Sequence, residues 1–172
     1  MKDGVITVVL VDDHAVVRAG LKAVLGTAKD IKVIGEGSTG KDAISLAARL
    51  DPDVIVMDLS MGEMDGTAAT KELVTGQTRA RILILTMHAE DSYLVPLLEA
   101  GASGYLVKSA ADRELIDAVR AVAQGDVYMQ PSATRALAQR IQRKAEHVDE
   151  RTKYEKLTER EQNVLRYVAR GY

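Results

Sequence analysis

The chain has 172 residues, 47% hydrophobic and 28% charged, enough for an aliphatic core and too apolar for a disordered class. It has no cysteine, which excludes disulfides, zinc–thiolate sites and cysteine nucleophiles and fits a reducing compartment. The net charge of −2 is uneven: residues 1–124 hold 13 Lys and Arg against 18 Asp and Glu, and residues 125–172 hold 10 against 7. An acidic body suited to a metal or phosphate site therefore precedes a basic tail suited to a polyanion. No apolar segment approaches the roughly 20 residues of a membrane span, and no basic-then-apolar leader opens the chain, so a soluble, cytoplasmic protein is expected.

In chain order, Val5 to Val11 is a β-branched run that reads as a buried strand and ends at Asp12-Asp13. Val17, Leu21, Val24 and Leu25 then recur at helical spacing. Ile31 to Gly37 is a second strand, and Ser38 is placed to cap the next helix, with Ala43, Ile44, Ala47 and Leu50 on its buried face. Asp51-Pro52-Asp53 breaks that helix, and Val54 to Asp58 is a strand apolar at every position up to its last residue. A weakly apolar helix follows from Gly66 to about Gly76. Arg81 to Thr86 is a fourth strand, and Glu90 to Ala100 a helix that Pro96 either kinks or delays. Tyr105 to Val107 is a fifth strand leading to Lys108. Ser109 is placed to cap a last helix with Leu115, Ile116, Val119 and Val122 inward. Strands alternating with helices predict right-handed crossovers and a parallel sheet covered on both faces.

All strands of a parallel sheet present their carboxyl ends at one edge, so Asp12, Asp13, Asp58, Thr86 and Lys108 are predicted to converge. Carboxylates held close repel unless a cation sits among them. Asp13 and Asp58, with a backbone carbonyl (that of Ser60) and waters, suit octahedral Mg²⁺, and Asp12 can hold a metal-bound water. Asp58 is then a phosphoryl acceptor, with Lys108 and the Thr86 hydroxyl ready for phosphoryl oxygens. Taken singly, each residue would pass as a strand end or a helix cap. The convergence of all of them makes the site.

On these residues the segment 5–122 resembles the receiver domain of a bacterial two-component response regulator. The opening Val11-Asp12-Asp13-His14, with Arg18 and Gly20-Leu21, narrows the resemblance to the NarL/FixJ family. The resemblance implies a flavodoxin-like, doubly wound, five-stranded parallel sheet of order 2-1-3-4-5. It also implies phosphorylation of Asp58 by a partner histidine kinase, Thr86 and Tyr105 as switch residues, and homodimerisation on phosphorylation. His14 offers itself as an extra ligand, but the preferred reading is a helix-start residue beside the acidic pair. Gly62 and Ser109 stand where the family commonly has proline. A cis peptide before Ser109 would cost roughly 3 kcal/mol and is not expected.

Residues 1–124 are assigned to the receiver and 125–156 to a linker with one helix, from Ser132 to about Glu146. Residues 157–172 look like the first helix of a LuxR-type helix-turn-helix domain, opened by the capping box Thr158-Glu159-Arg160-Glu161. A recognition helix would lie beyond Tyr172, so DNA would be read through a part not present here, and truncation is the expectation. The leading expectation is a phosphorylation-switched transcriptional regulator without metabolite turnover. The alternatives are a stand-alone receiver or phosphorelay module acting through protein contacts, and a hydrolase using Asp58 covalently, which would want a second aspartate where Ser60 stands.

Overall fold

Alternation along the strands decides which helices cover which face of the sheet. The computed structural model describes residues 4–87, 91–131, 133–135 and 137–138. Its elements are β1 (Ile6–Val11), α1 (Ala15–Leu25), β2 (Ile31–Gly37), α2 (Gly40–Leu50), β3 (Val54–Asp58), α3 (Gly66–Thr75), β4 (Arg81–Thr86), α4 (Asp91–Ala100), β5 (Gly104–Val107), a 3₁₀ turn (Lys108–Ala110), α5 (Ala111–Ala123) and β6 (Tyr128–Met129). Val9, Val11, Ile55, Met57, Ile82 and Ile84 face one core with α2, α3 and α4. Val8, Leu10, Val54, Val56, Leu83 and Leu85 face the other with α1 and α5. Each fully buried Leu, Ile or Val side chain contributes about 1.5–3 kcal/mol, so two aliphatic cores stand in for the missing Phe and Trp.

The sheet is parallel throughout, in the order β2-β1-β3-β4-β5-β6. The flavodoxin-like α/β fold and the order 2-1-3-4-5 are as expected, but there are six strands, not five. The sixth pairs Tyr128 with Gly104 and Met129 with Tyr105. Its two residues are too short to leave a periodic signal. Gly104 makes room for it, since a Cβ there would lie 3.1 Å from the Tyr128 carbonyl oxygen and 2.8 Å from Leu83 Cδ1. The Tyr128 hydroxyl donates to Glu114 Oε2 at 2.8 Å, tying β6 to α5. The described residues of 131–138 are helical, and Ala133 and Leu137 are buried in the core shared with β5.

Two helix caps differ from expectation. The N-cap of α2 is Thr39, not Ser38: Thr39 Oγ1 accepts from the Asp42 amide, and Asp42 Oδ2 accepts from the Thr39 amide in return. Ser38 bonds to the same Asp42 carboxylate from one position earlier. Ser109 lies inside the 3₁₀ turn, and α5 starts at Ala111 with Ala110 at its N-cap and no side-chain cap. Pro96 sits within α4, exposed to solvent, while Leu94, Leu97 and Leu98 point inward. No peptide bond among the described residues is cis, in keeping with Ser109. The helix proposed to run to Glu146 and the capping box at Thr158 lie outside the described residues, apart from the turns noted above.

Candidate functional site

The strand order reverses between β1 and β3, and an open α/β sheet leaves a crevice outside the carboxyl ends of the strands at that point. Asp12 and Asp13 follow β1, Asp58 closes β3, Thr86 closes β4 and Lys108 follows β5. Asp12 and Asp58 are buried, with 1% and 2% of their surfaces exposed. Lys108 Nζ lies 2.7 Å from Asp12 Oδ2 and 2.9 Å from Asp58 Oδ2, and its side chain is itself buried. Asp58 Oδ1 is buried with no hydrogen-bond partner. Burial pushes the Asp58 carboxyl above the ordinary carboxylate range and the Asp12 charge adds to this, while Lys108 and the Ser60 amide pull it back only in part. Burial alone would lower Lys108, but the two carboxylates outweigh it and hold the ammonium above the usual lysine value.

Ligand atoms of Asp12, Asp13, His14 and Asp58 all lie within 4.8 Å of one another. An unpartnered buried carboxylate oxygen amid other oxygen donors is the donor chemistry that Mg²⁺ takes. Asp13 is on the exposed side of the cluster, with His14 Nδ1 2.7 Å from its Oδ1 and 3.4 Å from Asp12 Oδ1. The His14 amide donates to Asp12 Oδ1 at 2.8 Å, and His14 is the N-cap of α1, as its helix-start reading requires. Ser60 is exposed in the loop directly after β3.

Thr86 and Tyr105 are both buried, Tyr105 to 2% exposure within the α2–α4 core. Tyr105 is paired with Ile84, and Thr86 with Val107, in neighbouring strands.

Two supports of the site carry no role in the sequence reading. Arg18 Nη1 donates to the Asp12 carbonyl oxygen at 2.6 Å, pinning the acidic turn to α1. Its sequence signals are its place four residues after His14, one helical turn on, and its part in the family resemblance, neither of which shows the bond to the Asp12 carbonyl. Gly66 opens α3 against the back of Asp58. A Cβ at Gly66 would stand 2.6 Å from the Asp58 carbonyl oxygen and 3.0 Å from Leu59 Cα, and the Gly66 amide donates to the Leu59 carbonyl at 2.8 Å. Gly66 follows the turn residues Met64-Asp65, which signals a helix start but not the close approach.

The model of the response regulator receiver domain matches residues 8–120, the span that contains every one of these groups. The chain belongs to the response regulator family. This response regulator is 39% identical over 167 residues to the response regulator protein VraR of Staphylococcus aureus strain NCTC 8325, covering 97% of this chain and 77% of that protein. A two-component response regulator of the LuxR family from Aurantimonas sp. SI85-9A1 superposes with a TM-score of 0.75 at 34% identity, over 79% of this chain and 97% of that one. The isolated receiver domain of RcsB from Salmonella enterica serovar Typhimurium, solved with the phosphomimetic BeF₃⁻, superposes with a TM-score of 0.69 at 27% identity, over 77% of this regulator and 98% of that chain. The regulator is therefore a two-component signalling protein with a LuxR-family relative. No helix among its described residues is long and apolar enough to cross a membrane.

Proposed function

We propose that Asp58 accepts a phosphoryl group from a sensor histidine kinase and that this drives a DNA-binding output. The observation that carries the reading is the buried Asp58 carboxylate, with Oδ1 unpartnered and Oδ2 on Lys108. A carboxylate oxygen of Asp58 attacks phosphorus, the bond from phosphorus to the kinase imidazole nitrogen breaks, and its electron pair stays on the ring, which takes up a proton. Asp13, Asp58 and the Ser60 carbonyl would hold Mg²⁺, with Asp12 on a bound water, and when bound the ion offsets negative charge among the carboxylates and phosphoryl oxygens. Lys108 meets a phosphoryl oxygen with a charge already poised in the site.

Thr86 gives a hydroxyl to the phosphoryl group, and the buried Tyr105 responds on the adjoining strand. The altered face around α4, β5 and α5 then favours a homodimer. Residues 1–124 act as the receiver, 125–156, which supply β6, as the linker, and 157–172 as the first helix of a LuxR-type, DNA-binding output. The work is done in the cytoplasm, without turnover of a metabolite. The likeness to an RcsB receiver domain solved in the presence of the phosphomimetic BeF₃⁻ supports the reading of this chain as a phosphoryl-accepting receiver. The test is incubation with acetyl phosphate and Mg²⁺: the wild type gains one acid-labile phosphoryl group by mass and Asp58→Asn gains none. Equal labelling of the two would overturn the assignment.

A further inference from the structure

We infer that His14 is a metal ligand, giving this receiver an oxygen-plus-nitrogen cation site that prefers a first-row transition cation, such as Ni²⁺ or Mn²⁺, to Mg²⁺. This rests on the reading of the acidic pocket as a cation site and extends it to a residue that reading leaves out.

The donor atoms divide by partner. Lys108 occupies the Oδ2 atoms of Asp12 and Asp58. On the other oxygens, Asp12 Oδ1 already accepts the His14 amide, and Asp58 Oδ1 is buried without a partner. Asp13 and His14 close the remaining, exposed side. His14 Nδ1 stands 2.7 Å from Asp13 Oδ1 and 3.4 Å from Asp12 Oδ1. These separations bracket the ~3.0 Å between neighbouring donors around an octahedral ion with bonds near 2.1 Å. The whole set spans 4.8 Å, slightly more than the ~4.2 Å between opposite donors of such an ion, so a bound cation needs to draw the set together by about half an ångström.

The placement of His14 follows from the fold. As N-cap of α1 it has extended backbone angles, φ −92° and ψ 104°, and no side-chain capping bond holds its ring. Its amide bond to Asp12 fixes the backbone beside the carboxylates, while the side chain is 67% exposed with Nδ1 turned onto Asp13, so an incoming cation meets the ring from solvent. An all-oxygen site suits Mg²⁺. Adding an imidazole raises affinity for borderline cations, in the order Mn²⁺ below Ni²⁺, and does little for Mg²⁺.

The experiment uses the full untagged chain, as wild type, His14→Ala and Asp58→Asn. Mg²⁺ and Ni²⁺ affinities are measured by calorimetry, and Mn²⁺ at equimolar loading is probed by pulsed electron paramagnetic resonance for nitrogen coupling. The expected result is a directly bound nitrogen in the wild type, absent in both variants. In His14→Ala, Ni²⁺ affinity falls at least about tenfold, the loss that even an outer partner of a ligand can cause, while Mg²⁺ affinity changes less than about twofold. Wild-type Mn²⁺ bound without nitrogen coupling overturns the inference and leaves the pocket an oxygen site. Equal losses of Mg²⁺ and Ni²⁺ in His14→Ala overturn it too, since His14 would then only position Asp13. If the wild type binds none of the three cations, the cation-site reading itself fails. His14 is exposed and its amide bond survives substitution, so loss of folding does not confound the result.

Discussion

Lys108 Nζ stands 2.9 Å from Asp58 Oδ2, with Asp12 Oδ2 at 2.7 Å, so one buried ammonium offsets two buried carboxylates. Removing it leaves both uncompensated. Lys108→Ala should lower stability to urea by roughly 3 kcal/mol at pH 7, and the deficit should shrink as acid protonates the carboxylates. The wild type has a second window. Its Lys108 pKa is raised on folding, so the stability it gives is fully present below 10.5 and is lost as pH rises through the folded value. Urea midpoints between neutrality and alkaline pH check both statements.

Asp58 is strained in the opposite sense. Its folded pKa is raised, so the protonated form is favoured by folding: that advantage is fully present below 3.8 and is lost as pH rises through the folded value. Asp58→Asn keeps a neutral group at every pH. In metal-free buffer it should be more stable than wild type by about 1 kcal/mol at pH 7, with the difference closing in acid. A destabilised Asp58→Asn at neutral pH would show that the Lys108 contact outweighs burial.

Two nearby glycines should respond in opposite ways. Gly66→Ala puts a methyl group 2.6 Å from the Asp58 carbonyl oxygen, so backbone must move. Overpacking of this kind costs about 1–3 kcal/mol and should slow labelling by acetyl phosphate. Gly62→Ala meets nothing within 4 Å, and its backbone angle is not in the left-handed region. It should raise stability by roughly 0.4–1 kcal/mol through the unfolded chain. Thermal melts and labelling time courses of the two variants separate these effects.

Tyr128→Phe removes the 2.8 Å bond to Glu114 and leaves the ring. A loss of about 1 kcal/mol is expected in urea unfolding, together with faster amide exchange at Tyr128, whose own N–H bonds to the Ser103 carbonyl at 3.2 Å. Unchanged exchange there would mean that the β6 pairing holds without the hydroxyl.

The strand ends were legible because β3 and β4 are apolar without interruption and then stop at a single polar group, Asp58 or Thr86. The parallel topology does the rest, bringing residues from four strands to one edge. The α2 cap was misplaced by one position because Ser38 and Thr39 are both cap formers. The deciding residue is Asp42, which sits at the third helical position counted from Thr39, where it can return a bond to the cap amide. Arg18 and Gly66 act through distances to backbone atoms of Asp12 and Asp58, which no local pattern encodes. Tyr128–Met129 is invisible for a different reason: a two-residue strand is defined by its neighbour rather than by its own sequence.

That neighbour is β5, and the pairing has a directional consequence. Because β6 runs parallel to β5, the chain leaves the sheet at the same edge that carries Asp58, not at the opposite one. Met129, the last residue of β6, lies across a single rung from Tyr105. The segment after β6 therefore starts one interstrand spacing from the buried tyrosine and turns back at once to bury Ala133 and Leu137 in the core that Tyr105 shares.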